Sequence, residues 1–445
     1  MDKTQFKQRQ LNLINLMEQG IALIPSAGFV TKSHDTEFPF RQHSDFRYLT
    51  GFGEPECMLV LLKDNDASMK SILFLRDSNP FMEMWMGKRA GLSKAMELLD
   101  IDDALPISSL EEKLPELLKG RERIYFDLTN DDLSQTVSKA FKQVLKLRKQ
   151  KVTKPSSFNY LSPLIGRLKL IKDTNEILAL KKGMEKTNLA HKYAMAMTNA
   201  KSSEAKVNNM INFVFNSDEA EGAAYDNIVA GGENALTLHY IENDKAFNDG
   251  DIVLIDAGAQ YNGMATDISR SYPVNGKFTQ AQETVYEIVL EAQKAALREA
   301  KPGSTLAKMH NEACKVLING LIEHGILKGS LDEELAGGDF KKYYPHGTGH
   351  WLGLDVHDNC PYLDDKNEDI LFSAGMVLTC EPALYFAKND ELVPKSWQGI
   401  GIRIEDDILI TKESYENLSS MIPKEIKEVE ETCKTSLESF SLSFQ

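Results

Sequence analysis

Histidine and carboxylate side chains are concentrated in one short segment, HGTGHWLGLDVHD at residues 346–358. Three of the nine histidines of the chain lie there: His346, His350 and His357. Asp355 adds a carboxylate to the same segment. Imidazole and carboxylate groups bind metals and carry protons, so their density predicts a catalytic or metal-binding site.

The spacing of the first two histidines raises the question of a helical zinc site. His346 and His350 are four positions apart, like the two histidines of an H-E-x-x-H helix. The residues between them are Gly-Thr-Gly, without the glutamate of that motif, and each glycine costs a helix about 1 kcal/mol. We therefore expect a glycine-rich segment that enters a strand, from which the histidines project at different backbone positions. They then need not share one metal.

Two aspartates are brought together by a predicted β-hairpin at residues 251–274. Asn262-Gly263 predicts its two-residue turn, because both positions tolerate positive φ. This register sets Asp256 opposite Ser269 and makes Asp267 a diagonal neighbour of Asp256 on the same face. Carboxylates about 7–8 Å apart can converge on a pair of cations. Two unrelated aspartates on a solvated face are the alternative, but the apolar run before Asp256 favours burial and ligation.

Two further strand-like segments carry glutamates among apolar residues. Glu381 is the only charged residue of GMVLTCEPALYF at 375–386. In GIGIRIEDDILIT at 399–411, alternation puts Arg403 and Glu405 on one face. An ion pair, such as Arg403 with a carboxylate, is one explanation for a buried glutamate, and metal ligation is the other. Four carboxylates with one imidazole favour a hard or borderline ion such as manganese.

The overall composition excludes several classes of protein. Hydrophobic residues make up 42% and charged residues 26%, as in soluble globular proteins. The net charge of -15 argues against nucleic-acid partners, whose phosphates require a basic surface. The five cysteines form no C-x-x-C pair, so neither a disulfide framework nor a thiolate zinc site is expected. Without an apolar run of membrane-spanning length or a signal peptide, a cytoplasmic protein with no membrane association is expected.

The elements that must position these residues fall into two regions. The length of 445 residues exceeds what one hydrophobic core usually spans, so two domains are expected. Residues 1–170 mix short buried strands with helical segments, which predicts a small α/β domain, and a basic Ser/Pro-containing stretch at 149–157 precedes the boundary. Residues 171–445 begin with a long helical pattern and then alternate strands and helices. The fold class is therefore α/β (α+β).

In their order along the chain, these motifs resemble those of the pita-bread metallopeptidases, most closely the Xaa-Pro aminopeptidase (aminopeptidase P) family. The ordered set is LHY at 238–240, D-x10-D at 256 and 267, HGTGHWLGLDVHD, TCEPALYF and GIRIEDDILIT. FRQHSDFRYLTGF at 40–52 and MWMGKRAG at 84–91 are similar to the N-terminal domain of that family. The resemblance implies a creatinase-like N-terminal α/β domain and a C-terminal pita-bread domain, in which helices flank an antiparallel sheet.

By position, the resemblance also implies the metal site and the residues around the substrate. The implied ligands of two Mn²⁺ ions are Asp256, Asp267, His350, Glu381 and Glu405, with Asp267 and Glu405 bridging both ions. Co²⁺, Fe²⁺ and Zn²⁺ are the alternative metals. The implied catalytic or substrate-binding residues are Glu381, His239, His346, His357, Arg403, Tyr385 and Trp85. Trp85 matches an aromatic residue that reaches a neighbouring subunit's active site, so a homodimer or homotetramer is implied.

The activity implied is release of residue 1 from Xaa-Pro-Yaa peptides by a hydroxide that the two metals share. The N-terminal domain would serve substrate access and oligomerisation. A prolidase, which cuts only Xaa-Pro dipeptides, has the same metal motifs, but residues 40–52 and the short separation of His357 and Glu381 favour the aminopeptidase. A pita-bread module that binds partners without catalysis is the alternative from another class, and such modules usually lack the ligand set.

Overall fold

The computed structural model describes residues 3–64, 68–147, 151–217 and 220–440. The chain divides into two compact units, Met1–Lys169 and Leu170–Gln445. Positions 149 and 150 of the predicted Ser/Pro-containing stretch lie outside the described residues, and its last residue, Ser157, begins a strand of the first unit.

The first unit is a mixed sheet packed against helices. Its strands are β1 (Gly20–Pro25), β2 (Thr31–Ser33), β3 (Thr36–Glu37), β4 (Met58–Lys63), β5 (Met69–Leu75), β6 (Asp103–Pro106), β7 (Arg123–Phe126) and β8 (Ser157–Tyr160). Its helices are α1 (Lys3–Leu16), α2 (Ser44–Thr50), α3 (Pro80–Met86), α4 (Gly91–Leu98), α5 (Leu110–Leu118), α6 (Asp131–Leu145) and α7 (Ser162–Lys169). The main sheet has the order β6-β5-β4-β1-β7-β8, in which β4 is antiparallel to both β1 and β5. Apolar residues of β1 and β4, such as Leu23 and Val60, share a core with Val137 of α6.

The second unit consists of antiparallel sheets with helices around them. Its strands are β9 (Ile228–Gly231), β10 (Ile252–Asp256), β11 (Gln260–Tyr261), β12 (Met264–Ala265), β13 (Ser269–Pro273), β14 (Val377–Cys380), β15 (Ala383–Tyr385), β16 (Gly401–Arg403), β17 (Asp406–Ile410) and β18 (Tyr415–Asn417). Its helices are α8 (Thr174–Met197), α9 (Glu204–Phe215), α10 (Gln280–Leu297), α11 (Leu306–Glu323), α12 (Leu331–Leu335) and α13 (Ile426–Cys433). The sheets have the orders β13-β10-β9 and β14-β17-β18, and β11/β12 and β15/β16 form separate pairs. Val253 of β10, Val289 of α10 and Leu317 of α11 belong to the common core.

The predicted hairpin register is confirmed. Tyr261 pairs with Met264 across the Asn262-Gly263 turn, whose residues have φ of 48° and 83°. Further from the turn, Asp256 pairs with Ser269 in the ladder between β10 and β13. A local turn preference therefore fixes which aspartate side chains share a face.

The histidine-rich segment departs from its expected conformation. It does not become a regular strand, because its only bridge within the described residues joins Trp351 to Leu378. It nevertheless runs antiparallel beside β14, through backbone hydrogen bonds from Leu352 N to Val377 O (3.1 Å), Thr379 N to His350 O (3.0 Å) and Glu381 N to Thr348 O (2.8 Å). Gly349 permits this approach, because a Cβ there would lie 2.1 Å from the carbonyl oxygen of Thr379. The pairing sets His350 beside the strand that leads to Glu381.

Membrane association was not expected from the sequence. Among the helices of the described residues, none has the length and apolar character that a membrane span requires.

Candidate metal centre

Five separate segments of the second unit contribute side chains to one cavity of about 250 Å³. Its lining consists of Leu238, His239, Asp256, Asp267, His346, His350, His357, Glu381, Arg403 and Glu405. All five predicted ligands are present. Four other predicted site residues accompany them: His239, His346, His357 and Arg403. Tyr385 lies outside this lining, as does Asp355, and Trp85 is an exposed residue of α3 in the first unit.

His350 meets the carboxylates at the centre of this cavity. Its Nε2 lies 3.2 Å from Asp267 Oδ2 and 3.9 Å from Glu381 Oε1. Its Nδ1 lies 3.2 Å from the carbonyl oxygen of Trp351, an acceptor that orients the ring and leaves Nε2 for a metal. One ligand atom each from Asp267, His350 and Glu405 lie within 4.8 Å of one another, which is a suitable arrangement for an ion.

Tyr225 connects the two aspartates of the hairpin. Its Oη lies 2.6 Å from Asp256 Oδ1 and 2.5 Å from Asp267 Oδ1, and the hydroxyl hydrogen can serve either carboxylate. Sequence reasoning missed this residue. It lies in an irregular segment before β9, where neither periodicity nor spacing distinguishes it from any other tyrosine.

Arg403 holds the other side of Asp256. Its Nη2 donates to Asp256 Oδ2 (2.6 Å), its Nη1 to Tyr385 Oη (2.8 Å) and its Nε to Ser269 Oγ (2.8 Å). Ser269 Oγ in turn donates to Glu405 Oε2 (2.8 Å). Arg403, which the sequence offered as an ion-pair partner for Glu405, is thus paired with Asp256 instead. Tyr385, which lies outside the cavity lining, is bound to Arg403.

The electrostatics of the cavity reflect an excess of buried negative charge. Burial and the neighbouring Asp267 raise the pKa of Asp256, and burial also raises the pKa of Glu405 well above its usual range. Burial raises the pKa of Glu381 to about 7. For Asp267 burial acts in the same direction, but the hydrogen bond from His350 outweighs it and lowers the pKa. Although burial opposes its protonation, His350 has its pKa raised to about 9 by Asp267.

This donor set fits divalent metal ions. Oxygen and imidazole ligands suit Mn²⁺ and related ions, and no described cysteine lines the cavity. The raised pKa values of the carboxyl groups show that Arg403 and His350 alone do not compensate the charge. Bound cations would supply the missing positive charge and return these groups to their ionised form.

Three histidines surround the carboxylates. His346 Nε2 lies 3.0 Å from Tyr385 Oη, and its Nδ1 lies 2.8 Å from the carbonyl oxygen of Gly347. Burial lowers the pKa of His346 to about 4, so its ring is neutral at pH 7. The His357 ring meets that of His350 edge to face at 4.3 Å, and burial lowers the pKa of His357 as well. His239 completes the cavity wall.

Comparison with known proteins agrees with this geometry. The model of metallopeptidase family M24 matches residues 179–412, and that of the aminopeptidase P N-terminal domain matches residues 6–125. The Xaa-Pro aminopeptidase of Escherichia coli (strain K12) is 41% identical over 97% of both chains, and that of Haemophilus influenzae is 37% identical over 97% of both. A solved structure of zinc-substituted E. coli aminopeptidase P in complex with product superposes with a TM-score of 0.93, at 40% identity, covering 97% of this chain and 98% of that one.

These matches confirm the expected fold class. The chain has the two-domain α/β architecture of aminopeptidase P, with an aminopeptidase P N-terminal domain followed by a pita-bread domain. This protein belongs to metallopeptidase family M24.

Proposed function

We propose that this protein is a metallo-aminopeptidase that hydrolyses the bond between the first residue of a peptide and a proline at position 2. The observation that carries the proposal is the complete set of five ligand-type side chains around one cavity, in a chain 41% identical to the Xaa-Pro aminopeptidase of E. coli. A non-catalytic binding module has no need for four carboxylates buried together.

The proposed cofactor is a pair of divalent metal ions, with Mn²⁺ as the first choice and Co²⁺, Fe²⁺ or Zn²⁺ as alternatives. Asp256 would hold one ion, His350 and Glu381 the other, and Asp267 and Glu405 both. When bound, the metals would polarise the scissile carbonyl and lower the pKa of water towards neutrality.

The remaining chemistry belongs to side chains of this protein. Glu381, whose carboxylate lies beside both His350 and His346, is suited to accept a proton from the attacking water and to return it to the departing proline nitrogen. His239 and His357 line the cavity and would donate hydrogen bonds to the oxygen that gains charge. Arg403 would keep Asp256 and Tyr385 in place, and His346 would contact the substrate. The acidic site would also attract the free ammonium group of the peptide.

The specificity for proline has a physical purpose. An Xaa-Pro bond is a tertiary amide, and the proline ring restricts the conformation of the residue before it. An enzyme shaped to this geometry can cut a bond that is poorly accommodated by sites built for ordinary peptide bonds.

We also propose a homodimer or homotetramer and a cytoplasmic location. On α3, the side chains of Phe81, Met84 and Trp85 are 65%, 73% and 71% exposed, and exposed apolar groups of this size mark contact surfaces. Trp85 would then reach the active site of a neighbouring subunit. The cysteines are free, which fits a reducing compartment.

Comparison of two substrates tests the proposed activity. The protein, loaded with Mn²⁺, is incubated with Xaa-Pro-Yaa and, separately, with the Xaa-Pro dipeptide, and the products are identified by mass spectrometry. Release of residue 1 from the tripeptide supports the aminopeptidase. Turnover of the dipeptide alone would identify a prolidase, and no turnover of either would favour the binding module.

A further inference from the structure

A polar cluster lies behind the histidine-rich wall of the cavity, and the proposed reaction does not use it. Its members are His310 and Cys314 of α11, together with Tyr344 and Thr348. His310 Nδ1 lies 2.9 Å from Thr348 Oγ1, and Tyr344 Oη lies 2.7 Å from the same oxygen. Cys314 Sγ lies 3.4 Å from His310 Nε2. Thr348 and Tyr344 are only 3% and 2% exposed, so their hydroxyl groups depend on hydrogen-bond partners within the protein.

Thr348 joins this cluster to the backbone of Glu381. Its carbonyl oxygen accepts a hydrogen bond from Glu381 N (2.8 Å), while its hydroxyl meets His310 and Tyr344. The backbone position of the proposed proton carrier therefore depends on a residue whose side chain is anchored from α11.

Tyr344 extends the cluster to His346. The two rings meet at 4.8 Å with an interplanar angle of 67°. Tyr344 Oη donates to the carbonyl oxygen of Gly347 (3.0 Å), which also lies 2.8 Å from His346 Nδ1. The carbonyl has two lone pairs, so it can accept from both groups.

One order of protons satisfies the whole chain of contacts. His310 Nδ1–H donates to Thr348 Oγ1, the Thr348 hydroxyl donates to Tyr344 Oη, and the Tyr344 hydroxyl donates to Gly347 O. In this order His310 donates the proton to Thr348, and its Nε2 is left to accept from the Cys314 thiol. Without His310, the buried oxygen of Thr348 loses an anchor and can turn to another rotamer.

We propose that His310 is a positioning residue for the peptidase reaction: through Thr348 and Tyr344 it fixes the backbone of Glu381 and the ring of His346. The inference rests on the proposed function, because it assigns a role in that reaction. Catalytic groups lose much of their effect when displaced by about 1 Å, so a contact one layer away from the substrate influences turnover.

Four variants test this role: His310→Leu, His310→Asn, Thr348→Val and the double variant His310→Leu/Thr348→Val. Asparagine retains an N–H donor near the position of Nδ1, whereas leucine fills the space without one. His324→Leu is the matched control, because His324 follows α11 but its ring contacts Trp397. The values of kcat and KM on Xaa-Pro-Yaa with Mn²⁺, and the melting temperature, are measured for each.

The expected result is a fall in kcat of about tenfold for His310→Leu, the effect of one hydrogen bond, with KM changed less than about twofold. His310→Asn should recover most of the loss. Because both residues act through one contact, the double variant should be no slower than the worse single variant. His324→Leu should keep the wild-type kcat.

Other outcomes separate this inference from the proposed function. Wild-type kcat in His310→Leu and Thr348→Val, or losses that add in the double variant, would assign His310 to packing alone. An equal loss in His310→Leu and His310→Asn would have the same meaning. If the wild-type protein cut no Xaa-Pro peptide, the proposed function itself would fail, and the positioning role with it.

Discussion

Glu381 lies between His350, a proposed metal ligand, and His346, which is proposed to contact the substrate. Its Oε1 is 3.9 Å from His350 Nε2, and its Oε2 is 3.6 Å from His346 Nδ1. This position beside both histidines suits Glu381 to take up and release a proton during the proposed reaction.

Substitution of this carboxylate tests the proton-transfer role. Glu381→Gln keeps the size of the side chain and one oxygen but cannot accept the proton, so kcat on Xaa-Pro-Yaa should fall by at least about 100-fold. Glu413→Gln, at an exposed position, should leave kcat unchanged. Metal content is measured alongside, since Glu381 is also a proposed ligand. Near-normal turnover by Glu381→Gln would contradict the assignment.

Tyr225 provides a second test among single residues. The Tyr225→Phe variant loses the hydroxyl group between Asp256 and Asp267, and loss of such supporting contacts typically weakens metal binding by about 10–100-fold. Titration of the metal-free protein with Mn²⁺ measures this directly. Tyr160→Phe, exposed in the first unit, is the control. Wild-type affinity in Tyr225→Phe would show that the hydroxyl group does not support the ligands.

Which residues could be anticipated from the sequence depended on the local pattern around them. Asp256, Glu381 and Glu405 follow or interrupt apolar runs, so their burial, and with it a special role, could be predicted. Their individual ligand roles came from the family resemblance and remain predictions. Tyr225 occupies an irregular segment, where only the folded chain reveals its contacts.

Among the elements, the segment that carries His350 depends on a close backbone approach to β14. In Gly349→Ala the new Cβ would meet the Thr379 carbonyl at 2.1 Å, so the pairing must open and His350 must move away from Asp267. We expect a lower melting temperature and weaker Mn²⁺ binding. Gly347→Ala is the matched control, because the nearest atom to its Cβ would be 3.9 Å away. Equal behaviour of the two variants would contradict this account of the segment.

The two elements at the site differed in how far their structure could be predicted. The hairpin register follows from Asn262-Gly263, a turn that acts over a few residues. The pairing of residues 348–352 with β14 joins positions far apart in the sequence, and its glycines and histidines do not alternate like a strand. The expected entry into a regular strand was therefore wrong, although the sequence correctly excluded a helical zinc motif for this segment.

At the scale of the whole molecule, the exposed face of α3 bears on assembly. Trp85→Ala should shift the protein towards smaller species in sedimentation velocity, because it removes a large apolar group from the proposed contact. Leu178→Ala, which changes an exposed residue of α8, should leave the distribution unchanged. A wild-type protein that sediments at the mass of one 49.9 kDa chain at all concentrations would contradict the proposed oligomer.

The division into two units and the fold class could be anticipated from chain length and the succession of elements. The assembly state could not, because a single sequence does not reveal which apolar side chains remain exposed after folding. Trp85 could be singled out only because it matches an aromatic residue of the family. Its exposure on α3 supports the proposed oligomer.

The central claim is that the cluster of carboxylates and His350 holds metals for hydrolysis of the Xaa-Pro bond. The most direct measurement is the release of residue 1 from Xaa-Pro-Yaa by protein that has been stripped with a chelator and then titrated with Mn²⁺. We predict no release from the stripped protein, recovery of activity that saturates at two Mn²⁺ per chain, and Pro-Yaa as the other product. Full activity without metal, or cleavage at a different bond, would contradict the account.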